Sequence, residues 1–339
     1  MTMTEWFKEN MKDWRKPISA SGIMTALGCE RKFLFANKWR LYRKARQYSP
    51  SASFGKLLHR LLQVGEARCE EVHQEVIKQH GALREQILKG EDLTGDILRE
   101  ANELHSNYTK ALAVAKIFWE KYPPAEHMET VCREERIEGE WTGTPVVGFM
   151  DWIVRDTRDK SVWIRDTKTT SRKFDSILTG FQWSVQARFY RKLAMSRPWG
   201  KDVKGFILDM VKVPTIKLCG KDEKNAATWE CTVMEAYIKR VKEWYAEQDE
   251  ESMKSVAIKF NEPVDNIEIG KVYCKTQDMW GAEALPENFS KDLTRGSCYA
   301  YEKVCPYYVL CSSDPLTWPA QIEEMFEVVS EHKDREEKK

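Results

Sequence analysis

Two acidic residues and a lysine lie in neighbouring strand-like runs, and together they could hydrolyse a phosphodiester. Residues 147–168 read VGFMDWIVRDTRDKSVWIRDTK, with Asp151 in the first run and Asp166 and Lys168 in the second. Side chains two apart in a strand share a face, so Asp166 and Lys168 project together. The charged turn predicts a β-hairpin at the edge of a buried sheet, which could bring Asp151 beside Asp166. Paired carboxylates attract Mg²⁺ or Mn²⁺, and the lysine could position a water and stabilise charge on phosphate.

Other polar residues occur in helical segments before and after this hairpin. His59 lies one residue from the leucine stripe of FGKLLHRLL, and Gln186 and Tyr190 are four apart on one helix face. Each residue also has a purely structural interpretation. His59 could be a hydrogen-bonded core histidine, Gln186 a solvated position and Tyr190 a packing aromatic, and the hairpin could be an ordinary exposed one.

The order His, Asp, Asp-x-Lys and Gln-x-x-x-Tyr resembles the RecB-like branch of the PD-(D/E)XK nucleases. The resemblance spans His59 to Tyr190. Asp166 stands where many relatives have glutamate, which shortens the reach to a metal and is a known form of the motif. The resemblance implies that His59, Asp151 and Asp166 bind the metal. It also implies that Lys168 acts on the attacking water, and that Gln186 and Tyr190 contact DNA or phosphate.

The fold class that follows is α/β, a PD-(D/E)XK restriction-endonuclease-like core in which helices flank a central mixed sheet. We expect a single nuclease domain over 1–339, with its parts at 1–62 (an N-terminal helical arm carrying Cys29 and His59), 66–124 (a helical insertion), 128–250 (the nuclease core) and 290–315 (a cysteine segment). The pattern also predicts a strand at 204–213, a helix near 227–248, and an irregular stretch from there to Arg295.

Nine cysteines, an odd number, occur in a chain without a recognisable signal peptide or membrane-crossing stretch. This favours a reducing, cytoplasmic setting with disulfides absent. Cys29, Cys298, Cys305 and Cys311 resemble the iron–sulfur staple of AddB-type and CRISPR-adaptation nucleases, implying a [4Fe–4S] cluster that joins the two ends of the chain. Zinc is the alternative metal. The remaining cysteines are expected to be small buried hydrophobes: Cys69, Cys132, Cys219, Cys231 and Cys274.

The cysteine spacing departs from that family at one point. Six residues separate Cys298 from Cys305, where the family has two, and Glu302 stands where a cysteine is expected. The five-residue spacing from Cys305 to Cys311 does fit. Cys298 is therefore retained as the fourth ligand only because a longer loop can still deliver it.

Composition fits a compact enzyme: 42% of the 339 residues are hydrophobic, enough for a large core, and the net charge is only +1. Overall charge therefore does not indicate a nucleic-acid partner. Residues 31–46, however, hold seven Lys or Arg and no acid, interleaved with aromatics. This segment could bind DNA through Arg40, Arg43 and Lys44, or it could be a basic helix whose aromatic face is core.

The function predicted from these features is that of a metal-dependent DNA exonuclease using Mg²⁺ or Mn²⁺. The resemblance places it with stand-alone phage or mobile-element enzymes that process DNA ends for recombination, often beside a single-strand annealing protein. No GxxxxGK[ST] motif occurs, so no ATP is expected. The alternatives are a CRISPR-adaptation-type trimming nuclease and a catalytically silent iron–sulfur DNA-binding module. The intact set of polar residues argues against the silent module.

Overall fold

The computed structural model describes residues 3–11, 16–44, 48–91, 95–123, 125–182, 184–248, 251–260, 262–292, 298–300 and 303–329. Its helices are α1 Met3–Asn10, α2 Ala20–Gly28, α3 Glu30–Phe33, α4 Pro50–Val64, α5 Cys69–Leu88, α6 Asp96–Lys121, α7 Phe174–Gln182, α8 Val185–Ala194, α9 Gly220–Trp229, α10 Val233–Ala246, α11 Glu262–Gly281, α12 Tyr308–Ser312 and α13 Trp318–Met325. Its strands are β1 Leu41–Arg43, β2 Met128–Trp141, β3 Thr144–Asp156, β4 Val162–Thr170, β5 Val203–Lys212, β6 Met253–Lys259, β7 Tyr299–Ala300, β8 Lys303–Val304 and β9 Phe326–Val328.

A five-stranded mixed sheet forms the centre of the fold, in the order β2-β3-β4-β5-β6. Only β4 and β5 pair in parallel, and the other neighbours are antiparallel. The parallel pair needs a crossover, which α7 and α8 supply. This arrangement confirms the predicted α/β class with a central mixed sheet flanked by helices.

The β3–β4 hairpin lies in the middle of this sheet, so its predicted place at the edge is wrong. β2 pairs with β3 along nearly its whole length, and β5 pairs with all of β4. Both strands are rich in β-branched residues, and Val146, Ile153 and Ile164 are each at most 1% exposed. Because β3 and β4 carry so many apolar side chains, other strands and helices cover them, and they do not lie at an exposed edge.

Two hydrophobic clusters cover the sheet. One packs α4, α5, α6 and α10 together, with Val211 of β5. The other packs α2, α8 and α11 against β3, β4 and β5. The first cluster holds α4, which carries His59, against the sheet. The second holds α8, which carries Gln186 and Tyr190.

A third cluster joins the N-terminal and C-terminal segments of the chain. Trp39 and Trp318 are buried in it together with further aromatic side chains. β1 pairs with β9, so the association includes backbone hydrogen bonds. The two ends therefore meet through packing and strand pairing within the described residues.

Two predictions for residues beyond β5 need correction. The stretch expected to be irregular up to Arg295 contains β6 and all of α11, and the helix expected near 227–248 is present as α10 but begins only at Val233, after the separate helix α9 ends at Trp229. Thr232 begins α10 with a reciprocal capping pair to Glu235, which explains the break between the two helices. Residues 66–124 are largely helical through α5 and α6, while their standing as an insertion stays a prediction. None of the described helices is long and apolar enough to cross a membrane.

Candidate active site

A cavity of about 320 Å³ opens between α4 and α8, beside β3 and β4 just beyond the Trp152–Arg165 pair, where the pairing of these two strands stops. Its lining is mainly polar and comes from these residues: His59, Phe149, Asp151, Asp166, Thr167, Lys168, Thr169, Gln186 and Tyr190. All six residues proposed from the sequence as catalytic or metal-binding are among them. The structure thus brings together side chains that are up to 131 positions apart in the sequence.

Short polar contacts connect these residues in pairs. His59 Nδ1 lies 3.3 Å from Asp151 Oδ2. Lys168 Nζ lies 2.7 Å from Asp166 Oδ2 and 3.3 Å from Gln186 Oε1. The lysine is therefore held between the carboxylate of β4 and the amide of α8, and its position is fixed from both sides.

The local sequence explains how α8 reaches the site. Ser184 caps the helix, because its hydroxyl accepts a hydrogen bond of 3.1 Å from the Ala187 amide. On β3, Gly148 faces the helix, and a Cβ there would come within 2.6 Å of Leu193 and 3.3 Å of Tyr190. Glycine is the residue that lets the strand and α8 approach this closely.

The charges of His59 and Asp151 stabilise each other. Burial alone would raise the pKa of Asp151, but the hydrogen bond and charge of His59 more than offset it, and the net pKa is lowered. Burial alone would lower the pKa of His59, but the hydrogen bond and charge of Asp151 raise it above its usual value. The pair therefore keeps Asp151 ionised in a half-buried position.

The pKa of Asp166 is shifted in the opposite direction from that of Asp151. Burial raises the pKa of Asp166 above its usual range, the neighbouring charge of Asp151 raises it further, and Lys168 only partly offsets both. Its side chain is 5% exposed. Two carboxylates forced together in this way gain stability from an added cation.

One atom of the site lacks a directed hydrogen bond. Asp166 Oδ2 is buried, and apart from the close ion pair with Lys168 it accepts no hydrogen bond of normal geometry from the part of the chain that is described. Buried carboxylate oxygens normally have such partners or bind a metal. The donor set of two carboxylates and an imidazole suits Mg²⁺ or Mn²⁺. Across the described ranges, no three His, Cys, Asp or Glu side chains are already arranged around a common point as metal ligands.

The four cysteines predicted as cluster ligands occupy one region but do not form such a ligand group. Burial raises the pKa of the Cys305 thiol, and the neighbouring charges of Cys298 and Cys29 raise it further. Burial also raises the pKa of Cys311 to about 11, with Cys29 and Cys305 contributing. Cys305 donates its backbone N–H to the Cys298 carbonyl at 2.7 Å. The thiols are thus close neighbours, and the cluster itself is not shown.

The other cysteines are less buried than predicted. Cys219 and Cys274 are exposed, so the expectation that they are buried hydrophobes is wrong. Cys69, Cys132 and Cys231 are half-buried.

The basic residues proposed for DNA binding contact the C-terminal segment. Arg40 is only 5% exposed. Arg43 donates to the Pro306 carbonyl at 2.9 Å, and Lys44 donates to the Glu323 carbonyl at 2.6 Å. Burial of Arg40 agrees with the structural alternative for this residue. DNA contact by Arg43 and Lys44 stays a prediction.

The sequence analysis missed three residues of the cavity wall: Phe149, Thr167 and Thr169. Strand alternation assigns Thr167 and Thr169 to the face opposite Asp166 and Lys168, so the pattern held no signal for them. They reach the cavity because the β3–β4 pairing stops at Trp152 and Arg165, and residues of both faces border the gap beyond it.

Comparison with known proteins identifies the family to which this fold and this site belong. The family model of the PD-(D/E)XK nuclease superfamily matches residues 17–312. The chain belongs to this superfamily and is thus a nuclease by family. No curated protein matches it. A solved structure named "Putative exonuclease", from Eubacterium rectale, is similar with 10% sequence identity and a TM-score of 0.41, covering 91% of this chain and 96% of that one.

Proposed function

We propose that this protein is a divalent-metal-dependent exonuclease of the RecB-like branch that hydrolyses DNA from its ends. The observation that carries the proposal is the convergence of His59, Asp151, Asp166, Lys168 and Gln186 on one polar cavity. Four separate elements deliver these side chains, and their contacts with one another fix their positions. Chance surface residues would not form such a connected set.

His59, Asp151 and Asp166 would hold Mg²⁺ or Mn²⁺. Such an ion, when bound, makes a coordinated water more acidic and stabilises negative charge on a phosphoryl oxygen. Lys168, held between Asp166 and Gln186, would donate a hydrogen bond to the attacking water or to the phosphate as its charge grows. Gln186 and Tyr190 stand on the α8 side of the cavity, where they would position a phosphate of the substrate.

The proposal includes a metal held by Cys29, Cys298, Cys305 and Cys311, with [4Fe–4S] preferred over zinc. Its support is that the neighbouring thiols, together with burial, raise the pKa values of Cys305 and Cys311, which is the situation that metal binding relieves. Protein purified without oxygen is expected to be brown and to contain iron and acid-labile sulfide. Colourless protein with one equivalent of zinc would replace the cluster by a zinc site, and protein with neither would remove both.

The proposed setting is the cytoplasm, in DNA processing or recombination of a phage or mobile element, beside a single-strand annealing protein. The support for this setting is the resemblance to stand-alone exonucleases and the lack of an ATP-binding motif in the sequence. Co-purification with an annealing protein encoded by the same element would test it.

The deciding experiment is digestion of linear and covalently closed circular DNA with Mg²⁺ or Mn²⁺, using substrates labelled at the 5′ or 3′ end. Linear DNA should be degraded and circular DNA left intact, and the label that is lost first reports polarity. Asp166→Asn serves as the inactive control because it keeps the volume of the side chain. Cleavage of circular DNA would contradict an exonuclease, binding without cleavage would favour a silent DNA-binding module, and trimming to a fixed length would favour the CRISPR-adaptation type.

A further inference from the structure

Three side chains form a stacked row on the face of the sheet opposite Asp166 and Lys168. The guanidinium carbon of Arg133 lies 4.6 Å from the ring centre of Trp152, and that of Arg165 lies 4.7 Å from the same ring. The three residues are direct neighbours across the sheet, since Arg133 pairs with Trp152 and Trp152 pairs with Arg165. An indole between two guanidinium groups is a strong cation–π arrangement.

The inner part of this row is fixed. Arg165 forms an ion pair with Asp209, which is 2% exposed and also accepts a 2.7 Å hydrogen bond from the Ser255 hydroxyl. The Trp152 indole N–H donates to Thr130 Oγ1 at 3.1 Å. The ring therefore gives Arg133 a rigid surface on which to stack.

Arg133, at the outer end of the row, has no carboxylate of its own among the residues the structure describes. Glu134, its neighbour in the chain, lies 3.8 Å from Arg60, and the nearby Arg68 is paired with Glu71 at 2.7 Å. Partial burial lowers the pKa of Arg133, and the cations Arg68 and Arg165 lower it further. An exposed guanidinium in this position gains most from an anion that it can bind through two N–H groups.

The row shares its face of the sheet with Thr167 and Thr169, which line the cavity, because side chains two apart in β4 point the same way. Trp152 directly follows Asp151 in β3, and Arg165 directly precedes Asp166 in β4. Arg60, which reaches the neighbour of Arg133, directly follows His59 in α4. A strand advances about 3.3 Å per residue, so a DNA strand that leaves the cavity on the side of Thr167 and Thr169 passes this row.

We propose that Arg133, stacked on Trp152, binds a backbone phosphate of the DNA strand beyond the scissile one. This inference rests on the proposed function and assigns part of its substrate path. Arg133 is a binding residue here and takes no part in bond cleavage. The site recognises the phosphodiester charge and reads no base, so it should act alike on all sequences.

The test measures binding of labelled single-stranded oligonucleotides at several salt concentrations, without divalent metal so that no cleavage occurs. Arg133→Gln should lower the slope of log affinity against log salt by about 0.7, the value for one phosphate contact on a single strand. Arg133→Lys keeps the charge but loses the stacked, two-pronged geometry, so it should bind with intermediate affinity. Lys201→Gln is the matched control, because Lys201 is an exposed cation before β5, at the end of the sheet opposite Lys168.

A second measurement locates the phosphate. Uncharged methylphosphonate linkages are placed one at a time along the oligonucleotide, and one position beyond the cleavage point should weaken binding of the wild type but not of Arg133→Gln. An unchanged salt slope in Arg133→Gln, or a methylphosphonate penalty equal in both proteins, would overturn the inference and leave the proposed function standing. A wild type that neither binds nor cleaves DNA would overturn both.

Discussion

At the residue scale, the position of the Lys168 ammonium depends on two neighbouring side chains. Its ammonium contacts the buried carboxylate of Asp166 and the amide oxygen of Gln186. Neither contact is needed to build the strand, since β4 is held by its pairing with β3 and β5. The side chain can therefore be altered without losing the fold.

We expect Lys168→Ala to lower the rate of DNA cleavage by about 100-fold or more, because it removes a group that acts mainly on the transition state. Affinity for DNA should change little. Single-turnover kinetics and circular dichroism of the variant, with Lys201→Ala as control, would check this. A well-folded Lys168→Ala enzyme with nearly normal cleavage would remove the lysine from the mechanism.

At the scale of elements, the contact between β3 and α8 sets the geometry of the cavity. Leu193 is fully buried under Gly148, so it has little room to move when a methyl group is added there. Gly148→Ala should displace α8 and with it Tyr190 and Gln186, at a stability cost of about 1–3 kcal/mol. Cleavage should fall by roughly tenfold to 100-fold, since small misplacements of positioning groups are costly.

Gly139→Ala is the control for this variant. A Cβ at Gly139 meets the same residue, Leu193, at an ordinary 3.6 Å. The control should keep both stability and cleavage. Equal rates for the two variants, measured together with their thermal midpoints, would show that the close approach at Gly148 does not matter to the site.

A buried ion pair connects α9 to α10 and gives stability a dependence on pH. Arg240 donates to both oxygens of Asp222, which is fully buried, and the Cys219 amide donates to Asp222 as well. Burial alone would raise the pKa of Asp222, but these hydrogen bonds more than offset it, and the net pKa is lowered. The folded form thus favours the ionised carboxylate.

Because the folded pKa lies below the unfolded value of about 3.9, the stabilisation is present above that pH and is lost as the pH falls through the folded pKa. Asp222→Asn should lower the free energy of unfolding at pH 7 by roughly 2 kcal/mol. The difference from wild type should shrink below about pH 4. Denaturant titrations at pH 7 and below about pH 4 would show this. Asp202→Asn, a change at an exposed residue, is the control and should have the wild-type free energy of unfolding at both. A difference that does not vary with pH would contradict the assignment.

Local sequence patterns predicted the elements that depend on neighbours in the chain. The hairpin with Asp151 and Asp166, the strand now seen as β5, and the helices of His59 and Gln186 were all foreseen. The central position of the hairpin was not, because it depends on the pairing of β4 with β5, about 40 residues later. β6 and α11 were missed for a different reason: the buried stripe of α11, Ile269, Tyr273, Thr276 and Met279, includes a polar residue, and the apolar Ile267 beside it is exposed, so the apolar periodicity is weak.

At the scale of the whole molecule, the ends of the chain are joined by protein contacts in addition to any metal at the cysteines. Glu30 accepts hydrogen bonds from Ser290, and the Tyr307 hydroxyl donates to the Leu41 carbonyl at 2.8 Å. The described part of the predicted basic segment, residues 31–44, belongs largely to this junction. Its charges therefore support the fold as well as any contact with DNA.

Trp318 lies at the centre of this junction. Its ring is 1% exposed and lies 5.7 Å from Phe7, 5.4 Å from Phe35 and 6.4 Å from Trp39, measured between ring centres. These partners come from the N-terminal segment, whereas Trp318 begins α13. One side chain thus packs the two ends of the chain against each other.

Trp318→Ala should lower the free energy of unfolding by about 3–5 kcal/mol, because a large cavity remains among side chains that cannot all collapse into it. Since this cluster is separate from those that cover the sheet, the loss should appear first as local opening of both ends. Limited proteolysis should then cut near the N-terminus and the C-terminus at similar rates, while cleavage of DNA at low temperature persists. The partly exposed Trp229→Ala should resist protease like the wild type. Cutting confined to one end would show that the two segments are held independently, and the junction would then owe its integrity to β1, β9 and the cysteines.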